Sequence, residues 1–279
     1  MNPYRPQLSH AASAVTHPLD VIDECGRTQS IEIPGERPLT IYLDKKELVT
    51  LMTIGGAPEA LVLGYLRNQR LVNDLEEIDS IQVDWETESA AVKTKHKNID
   101  IEELTSKRTV TTGCGQGTVF GDFMTQIDNI NLPSEVKVTQ SALNQIVEII
   151  RTHPSIYKRA GSVHACAVFR NKHDHVELVY FIEDVGRHNA VDAISGMMWL
   201  EGMSGGELIF YTTGRLTSEM VIKGGQMGIP FLMTRSGATQ MALELSQKIN
   251  LTILTRCSGK HFLVYQGAQR IIFQPTAVV

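Results

Sequence analysis

From Val163 to Thr255 the chain alternates between two kinds of segment. Short apolar runs occupy 163–169, 176–182, 207–212, 231–234 and 251–255. Between them, 189–201, 217–227 and 239–249 carry apolar residues every three or four positions. Short apolar runs bounded by turn residues predict buried strands, and a 3.6-residue period predicts helices with one apolar face. Strands and helices in strict alternation bury their apolar faces best as a sheet covered by helices. The fold class read from this pattern is α/β.

The first third reads differently. Leu39 to Leu43 and Leu48 to Met52 flank the polar turn Asp44-Lys45-Lys46-Glu47, which predicts a hairpin. Pro58 begins a helix to about Leu71, with Leu61, Val62, Tyr65 and Leu66 on one face. Ile78, Ile81, Val83 and Trp85 predict another strand. This is a smaller α+β portion on the N-terminal side. A further helix, about Gln140 to Thr152, stops before Pro154. The expected organisation is an irregular segment over 1–27 and a small α+β domain over 28–110. A flexible glycine-rich cysteine loop and linker over 111–135 follow, then an α/β domain over 136–279.

Composition narrows the function. Of 279 residues 42% are hydrophobic and 20% charged, enough for a real core. A net charge of -5 argues against broad nucleic-acid binding. No apolar stretch approaches the ~20 residues of a membrane span, and the first residues lack the apolar core of a secretory signal. The expected compartment is the cytoplasm. Cys25, Cys114, Cys166 and Cys257 form no CxxC pair, so neither a zinc ribbon nor a disulfide framework is expected.

Polar groups crowd where strands hand over to helices, the places where open α/β sheets bind ligands. Glu183-Asp184-Val185-Gly186-Arg187-His188-Asn189-Ala190-Val191-Asp192 is the densest such junction. Its plain alternative is a salt-bridged helix start capped by Asn189. Tyr211-Thr212-Thr213-Gly214-Arg215 repeats the pattern, with Thr217 or Ser218 as the cap. Thr255-Arg256-Cys257-Ser258-Gly259-Lys260-His261-Phe262 gathers three basic or imidazole groups in one glycine-containing loop, or else forms a solvated hairpin. With the strands side by side, Arg187, Arg215 and Arg256 converge on one edge suited to a polyanion with a nucleotide-like phosphate chain. Thr111-Thr112-Gly113-Cys114-Gly115-Gln116-Gly117-Thr118 surrounds one cysteine with three glycines. Backbone N–H groups gathered there would favour a reactive thiolate; the alternative is a flexible linker with an incidental cysteine. His164 opens a strand, as a ligand contact or a hydrogen-bonded strand end. A zinc deaminase places a glutamate two residues after such a histidine and a PCxxC later. Here Cys166 takes the glutamate's place and no PCxxC follows, so catalytic zinc is not expected.

Taken in order, Gly161-Ser162-Val163-His164-Ala165, the 183–192 junction, Gly214-Arg215, Gly228-Ile229-Pro230 and the Gly259 loop before Val264-Tyr265 resemble one family. It is the formate dehydrogenase accessory sulfurtransferases, FdhD, and the likeness runs from about Arg37 to Phe273. The resemblance implies a cytidine deaminase-like α/β sandwich with a smaller α+β portion. It implies a persulfide on the loop cysteine, here Cys114, charged by a cysteine desulfurase. The sulfur would go to a molybdenum (or tungsten) bis-guanine-dinucleotide cofactor, bound transiently before it enters apo formate dehydrogenase. The matching cofactor loop is Thr255 to Phe262; Arg256, Lys260 and His261 of that loop, with Arg215 beside Gly214, would hold the cofactor's anionic groups, and Arg187 and His188 would shape the site. A homodimer is the family expectation, with no metal of the protein's own. Many members carry Cys-x-x-Cys on the loop, whereas this chain has Gly117 at the second place. An internal disulfide that releases the sulfur is therefore not available on this loop.

Overall fold

The computed structural model describes residues 4–95, 109–110, 117–118, 127, 130–172 and 175–274. Cys114 and its flanking residues 111–116 lie outside them, although strands on either side, β8 and β9 below, pair antiparallel. The chain forms two compact units that interleave along the sequence. The first takes 1–120, 154–165 and 182–203; the second takes 121–153, 166–181 and 204–279. Along the chain the strands and helices are β1 (Gln7–Leu8), β2 (Thr16–Ile22), β3 (Thr28–Pro34), β4 (Arg37–Leu43), β5 (Lys46–Thr53), α1 (Pro58–Asn68), β6 (Ile78–Asp84) and β7 (Ser89–Thr94). They continue with β8 (Thr109–Val110), β9 (Gly117–Thr118), β10 (Val138–Thr139), α2 (Gln140–Thr152), α3 (Ile156–Ala160), β11 (His164–Lys172), β12 (His175–Asp184) and α4 (Arg187–Leu200). The last are β13 (Leu208–Thr212), α5 (Ser218–Gln226), β14 (Phe231–Thr234), α6 (Gln240–Lys248), β15 (Thr252–Ser258), β16 (His261–Gln266) and β17 (Ile271–Ile272).

In the first unit a mixed sheet runs in the order β1-β6-β7-β4-β5. The hairpin expected from the Asp44–Glu47 turn is β4–β5, with Leu39 opposite Leu51 and Ile41 opposite Val49. Leu39, Ile41, Leu43, Ile81 and Val92 are buried under α1 residues Leu61, Val62, Tyr65 and Leu66. Helix α1 is itself buried nearly all round, which happens only when a second helix covers its other face. That helix is α4. A Cβ on Gly64 would lie 1.6 Å from the carbonyl oxygen of Asp192, and one on Gly196 2.0 Å from that of Ala60. Backbone meets backbone there, and only glycine permits it. Polar side chains seal the contact: Asn68 donates to Asp192 Oδ1 at 2.6 Å, and Ser195 Oγ donates to Asn68 Oδ1 at 3.1 Å. This pairing explains why α4, read from the sequence as part of the C-terminal α/β region, clusters with the N-terminal unit.

The irregular segment expected over 1–27 instead contains β1 and β2. Strand β2 pairs with β3 as a separate two-stranded ribbon, Leu19 facing Ile31. Its residues are exposed on both faces, so the apolar–polar contrast that marks a half-buried strand is missing. Pro18, opposite Glu32, is tolerated because the ribbon has open edges.

The second unit is built on a sheet of order β12-β11-β13-β14-β15-β16. Strands β13, β14 and β15 are mutually parallel, with β11 and β16 antiparallel at their flanks. Helix α2 lays Ala142, Leu143 and Ile146 onto Phe169, Ile209, Phe231 and Leu254. The parallel strands are buried along their whole length until β15 ends, hence their continuous apolar sequence. Among the described residues no helix is long and apolar enough to cross a membrane.

The helix contact yields a stability test. Gly64→Ala or Gly196→Ala should destabilise by about 3 kcal/mol or more in urea unfolding, since backbone must separate to admit the methyl group. Gly206→Ala, where a Cβ would meet its nearest neighbour, Pro133, at an ordinary contact distance of 3.7 Å, should change stability by less than about 0.5 kcal/mol.

Candidate functional site

The junction 183–192 folds chiefly as a buried brace within the first unit. Glu183 accepts from Ile156 N at 2.5 Å and Tyr157 N at 3.1 Å, which holds the start of α3. Asp184 accepts from Thr53 Oγ1 at 2.5 Å, Ile54 N at 3.3 Å, Gly186 N at 3.0 Å and Asn189 Nδ2 at 2.8 Å. The helix cap expected at Asn189 is not formed: Gly186 is the N-cap, and Asn189 Nδ2 also donates to the Met52 carbonyl at 2.6 Å. Glu183, Asp184, Asn189 and Asp192 therefore bind other segments of the same unit. His188 is buried beside them and Arg187 is half-buried, both at the start of α4.

The second unit carries the exposed basic groups. Strands β13, β14 and β15 end at Thr212, Thr234 and Ser258, and because they are parallel these ends share one edge. Three loops leave that edge, and the backbone stitches them together. Leu216 N donates to Gly237 O at 3.0 Å, Thr239 N to Leu216 O at 3.0 Å, and Arg256 N to Ser236 O at 2.9 Å. Buried threonines fix the turns: Thr212 Oγ1 accepts from Gly214 N at 3.1 Å, while Thr234 Oγ1 donates to Gly214 O at 2.6 Å and accepts from Ser236 N at 2.9 Å. Arg215 and Arg235 stand exposed on two of these loops, and Arg256 stands exposed near the end of β15. Helix α5 starts here with Thr217 as its N-cap, whose hydroxyl makes no cap bond to the first N–H groups of the helix. Thr239 does cap α6, accepting from Ala242 N at 3.3 Å.

Arg256 is held at φ +54°, a left-handed backbone, where the β15–β16 register shifts between Thr255 and Ser258. A bulge of this kind re-aims the side chain at its centre. The rest of the expected loop divides sharply. Ser258, Gly259, Lys260 and His261 are exposed, whereas Phe262 packs toward the core. Thr255 and Cys257 are buried, and burial pushes the Cys257 thiol up to about 12. Thr255, Cys257 and Phe262 thus turn toward the core, while Arg256 and Ser258 between them face solvent. Burial also drives the Tyr211 hydroxyl up to about 12, with the Arg235 charge pulling the other way. Cys166 is buried with its thiol 3.4 Å from Thr212 Oγ1, as a core residue, and His164 is half-buried where β11 begins.

Arg235 was absent from the expected site. The signal was there: strand 231–234, then Arg235-Ser236-Gly237, then a helix, repeats the pattern of the Arg215 junction. Arg215 and Arg256 do share one edge, as expected; Arg187 belongs to the other unit. Among the described residues no group of three His, Cys, Asp or Glu side chains could hold a metal ion.

The brace has a pH signature. Burial raises Asp184 above the usual carboxylate range, opposed only in part by its four donors. A folded-state pKa above the unfolded one means the native chain binds the proton more tightly. The stability gained from that is complete below about pH 4 and is lost as pH rises through the raised value. Relative to Asp184→Asn, the wild type should therefore lose stability as pH climbs from about 4, and melting of both proteins across pH reads the difference.

The FdhD/NarQ family model matches residues 34–272. The chain is 29% identical over 252 residues to the Sulfur carrier protein FdhD of Listeria innocua, covering 89% of this chain and 95% of that one. It is 30% identical over 243 residues to the protein of the same name from Saccharolobus solfataricus, covering 85% and 89%. A formate dehydrogenase accessory protein from Desulfotalea psychrophila has a similar fold, with TM-score 0.70 at 24% identity, over 92% of this chain and 99% of that structure. With the family model spanning most of its length, the chain belongs to the FdhD/NarQ family.

Proposed function

We propose that the protein is a sulfur carrier that serves formate dehydrogenase, with Cys114 as the carrier thiol. The observation that carries this reading is the edge of three parallel strands bearing Arg215, Arg235 and Arg256 beside an uncapped helix start. Such an edge suits phosphate oxygens, and the named relatives are sulfur carriers. The second unit is read as the cytidine deaminase-like sandwich of the family, with the ligand at the mouth of its parallel strands. The substrate on that edge is the molybdenum or tungsten bis-guanine-dinucleotide cofactor, whose diphosphates Arg215, Arg235, Arg256, Lys260 and His261 hold.

In the first step the Cys114 thiolate attacks the outer sulfur of a cysteine desulfurase persulfide. The donor's S–S bond breaks, a new S–S bond forms on Cys114, and the desulfurase regains its thiol after one proton transfer. No electrons are gained or lost overall. Setting that sulfur on the metal as sulfide takes two electrons. With Gly117 in place of a second loop cysteine, they come from a thiol of another molecule, which attacks the Cys114 sulfur, breaks the persulfide S–S bond to release sulfide and leaves a mixed disulfide on Cys114. Cys166 and Cys257 are poorly placed to supply them, being buried. The same glycine favours a second reading, a cofactor chaperone that binds the cofactor without transferring sulfur.

Intact-mass measurement after incubation with desulfurase and cysteine separates the two. A carrier gains one sulfur, about 32 Da, which Cys114→Ala abolishes together with formate dehydrogenase activation. Nucleotide binding by that variant should be unchanged. A chaperone gains no mass. Arg256→Gly tests the edge itself. Removing the left-handed strain should stabilise the fold by about 1 kcal/mol, while GDP binding weakens about tenfold, as expected for one charge-assisted contact. Unchanged GDP affinity would remove Arg256 from the site.

A further inference from the structure

Glu219 is out of keeping with its surroundings in the second unit. The segments at the edge of β13, β14 and β15 are 212–219, 234–240 and 255–261, and Glu219 is the one carboxylate in them, against Arg215, Arg235, Arg256 and Lys260. The cations reach from one segment to the next: a Cβ on Gly237 would lie 3.8 Å from Arg256 Nη2, so that guanidinium lies against the turn between β14 and α6. Glu219 is the second residue of α5, and the six that follow, Met220 to Gly225, are buried. It therefore sits where the helix passes from the edge into the core. Its side chain is 17% exposed, and Oε1 lies 3.2 Å from Nζ of Lys223, which is wholly buried. An (i, i+4) pair that served only the helix belongs on its solvent face. In a core, apolar side chains serve stability as well or better. A buried cation has instead been set beneath a carboxylate at the rim of a basic edge, and it fixes which way Oε1 is turned.

A carboxylate among arginines that hold phosphates repels those phosphates, so its use lies with another part of the ligand. We infer that Glu219 selects the ring attached to the phosphates, accepting through Oε2 from two N–H donors that stand side by side on that ring. The inference rests on the cofactor reading of this edge. A carboxylate oxygen has two lone pairs and accepts from two neighbouring donors, and such charge-assisted bonds are the strong ones. Guanine presents this pair at N1 and its 2-amino group. Adenine has an acceptor at N1 and no 2-amino group, so it is refused. The pterin ring of the same cofactor carries the guanine pattern, so the chemistry recognised is the amino–amide edge, with guanine and pterin as its two sources. Four residues separate Glu219 from Arg215, at most about 14 Å of chain, so a ring joined to a phosphate at the arginine reaches the carboxylate. Lys223 is then a positioning residue, which holds Oε1 and touches no ligand.

The test is equilibrium binding of GDP, ADP, xanthosine diphosphate, neopterin and inorganic diphosphate to the full chain and to Glu219→Gln. The wild type should prefer GDP to ADP at least about tenfold. Glu219→Gln keeps the shape of the side chain but replaces one acceptor with a donor. It should lose about ten- to a hundredfold in affinity for GDP, for neopterin or for both, and the ligand that suffers names the ring read. If guanine is that ring, xanthosine diphosphate should bind the variant better than the wild type, because its 2-oxo group accepts where the guanine amino group donates. Inorganic diphosphate should bind both proteins alike. Ratios between ligands do not depend on the folded fraction, so a variant that is merely less stable does not mimic this pattern. An equal loss for every ligand, diphosphate included, would overturn the inference, since the ion pair would then serve only the fold. Unchanged affinity for both GDP and neopterin would overturn it too. A wild type that binds neither GDP nor inorganic diphosphate would instead sink the cofactor reading of the edge, a result distinct from lost ring preference in a chain that still holds diphosphate.

Discussion

A buried carboxylate organises the first unit. Asp184 ends β12 and takes four hydrogen bonds, two from the end of β5 and its exit and two from the residues that start α4. One charge, removed from water, therefore fixes where a strand stops and where a helix begins. Isolated, it would be costly; with four donors it becomes a node that no apolar side chain could replace. Asn189 extends the node to the Met52 carbonyl, and Asp192 carries it along the helix to Asn68. The glycine contact between α1 and α4 depends on this brace, since helices whose backbones touch tolerate no change of register.

In the second unit the corresponding device is neutral. Thr212 and Thr234 lie buried at the ends of parallel strands and close the turns with their hydroxyls. Arg215, Arg235 and Arg256 stand exposed beside those closed turns. The left-handed Arg256 shows the cost of this arrangement, a backbone conformation that most side chains avoid.

Much of the fold was legible because burial imposes period. The parallel strands, α2 and the β4–β5 hairpin follow from apolar spacing alone. The ribbon was not legible, since exposure on both faces erases the period. The site was legible in part. The search for arginines near strand ends picked out Arg215 and Arg256, which the fold brings to one edge, and the same search at residue 235 would have added a third exposed arginine there. The 183–192 motif shows the opposite failure. Polar residues at a strand–helix junction bind a ligand or bind the rest of the fold, and sequence spacing looks alike in both. What decides is which distant segment comes close, here residues 52–54, 68 and 156–157, and no local pattern encodes that.

The central claim is that sulfur travels through this chain. Charging the protein with radioactive sulfur from desulfurase, removing the desulfurase, and adding cofactor-free formate dehydrogenase with its guanine dinucleotide cofactor follows that passage directly. The account predicts label leaving the chain and appearing with the enzyme's cofactor as formate oxidation begins. Activation with all label still on the chain, or with none ever taken up, would contradict it.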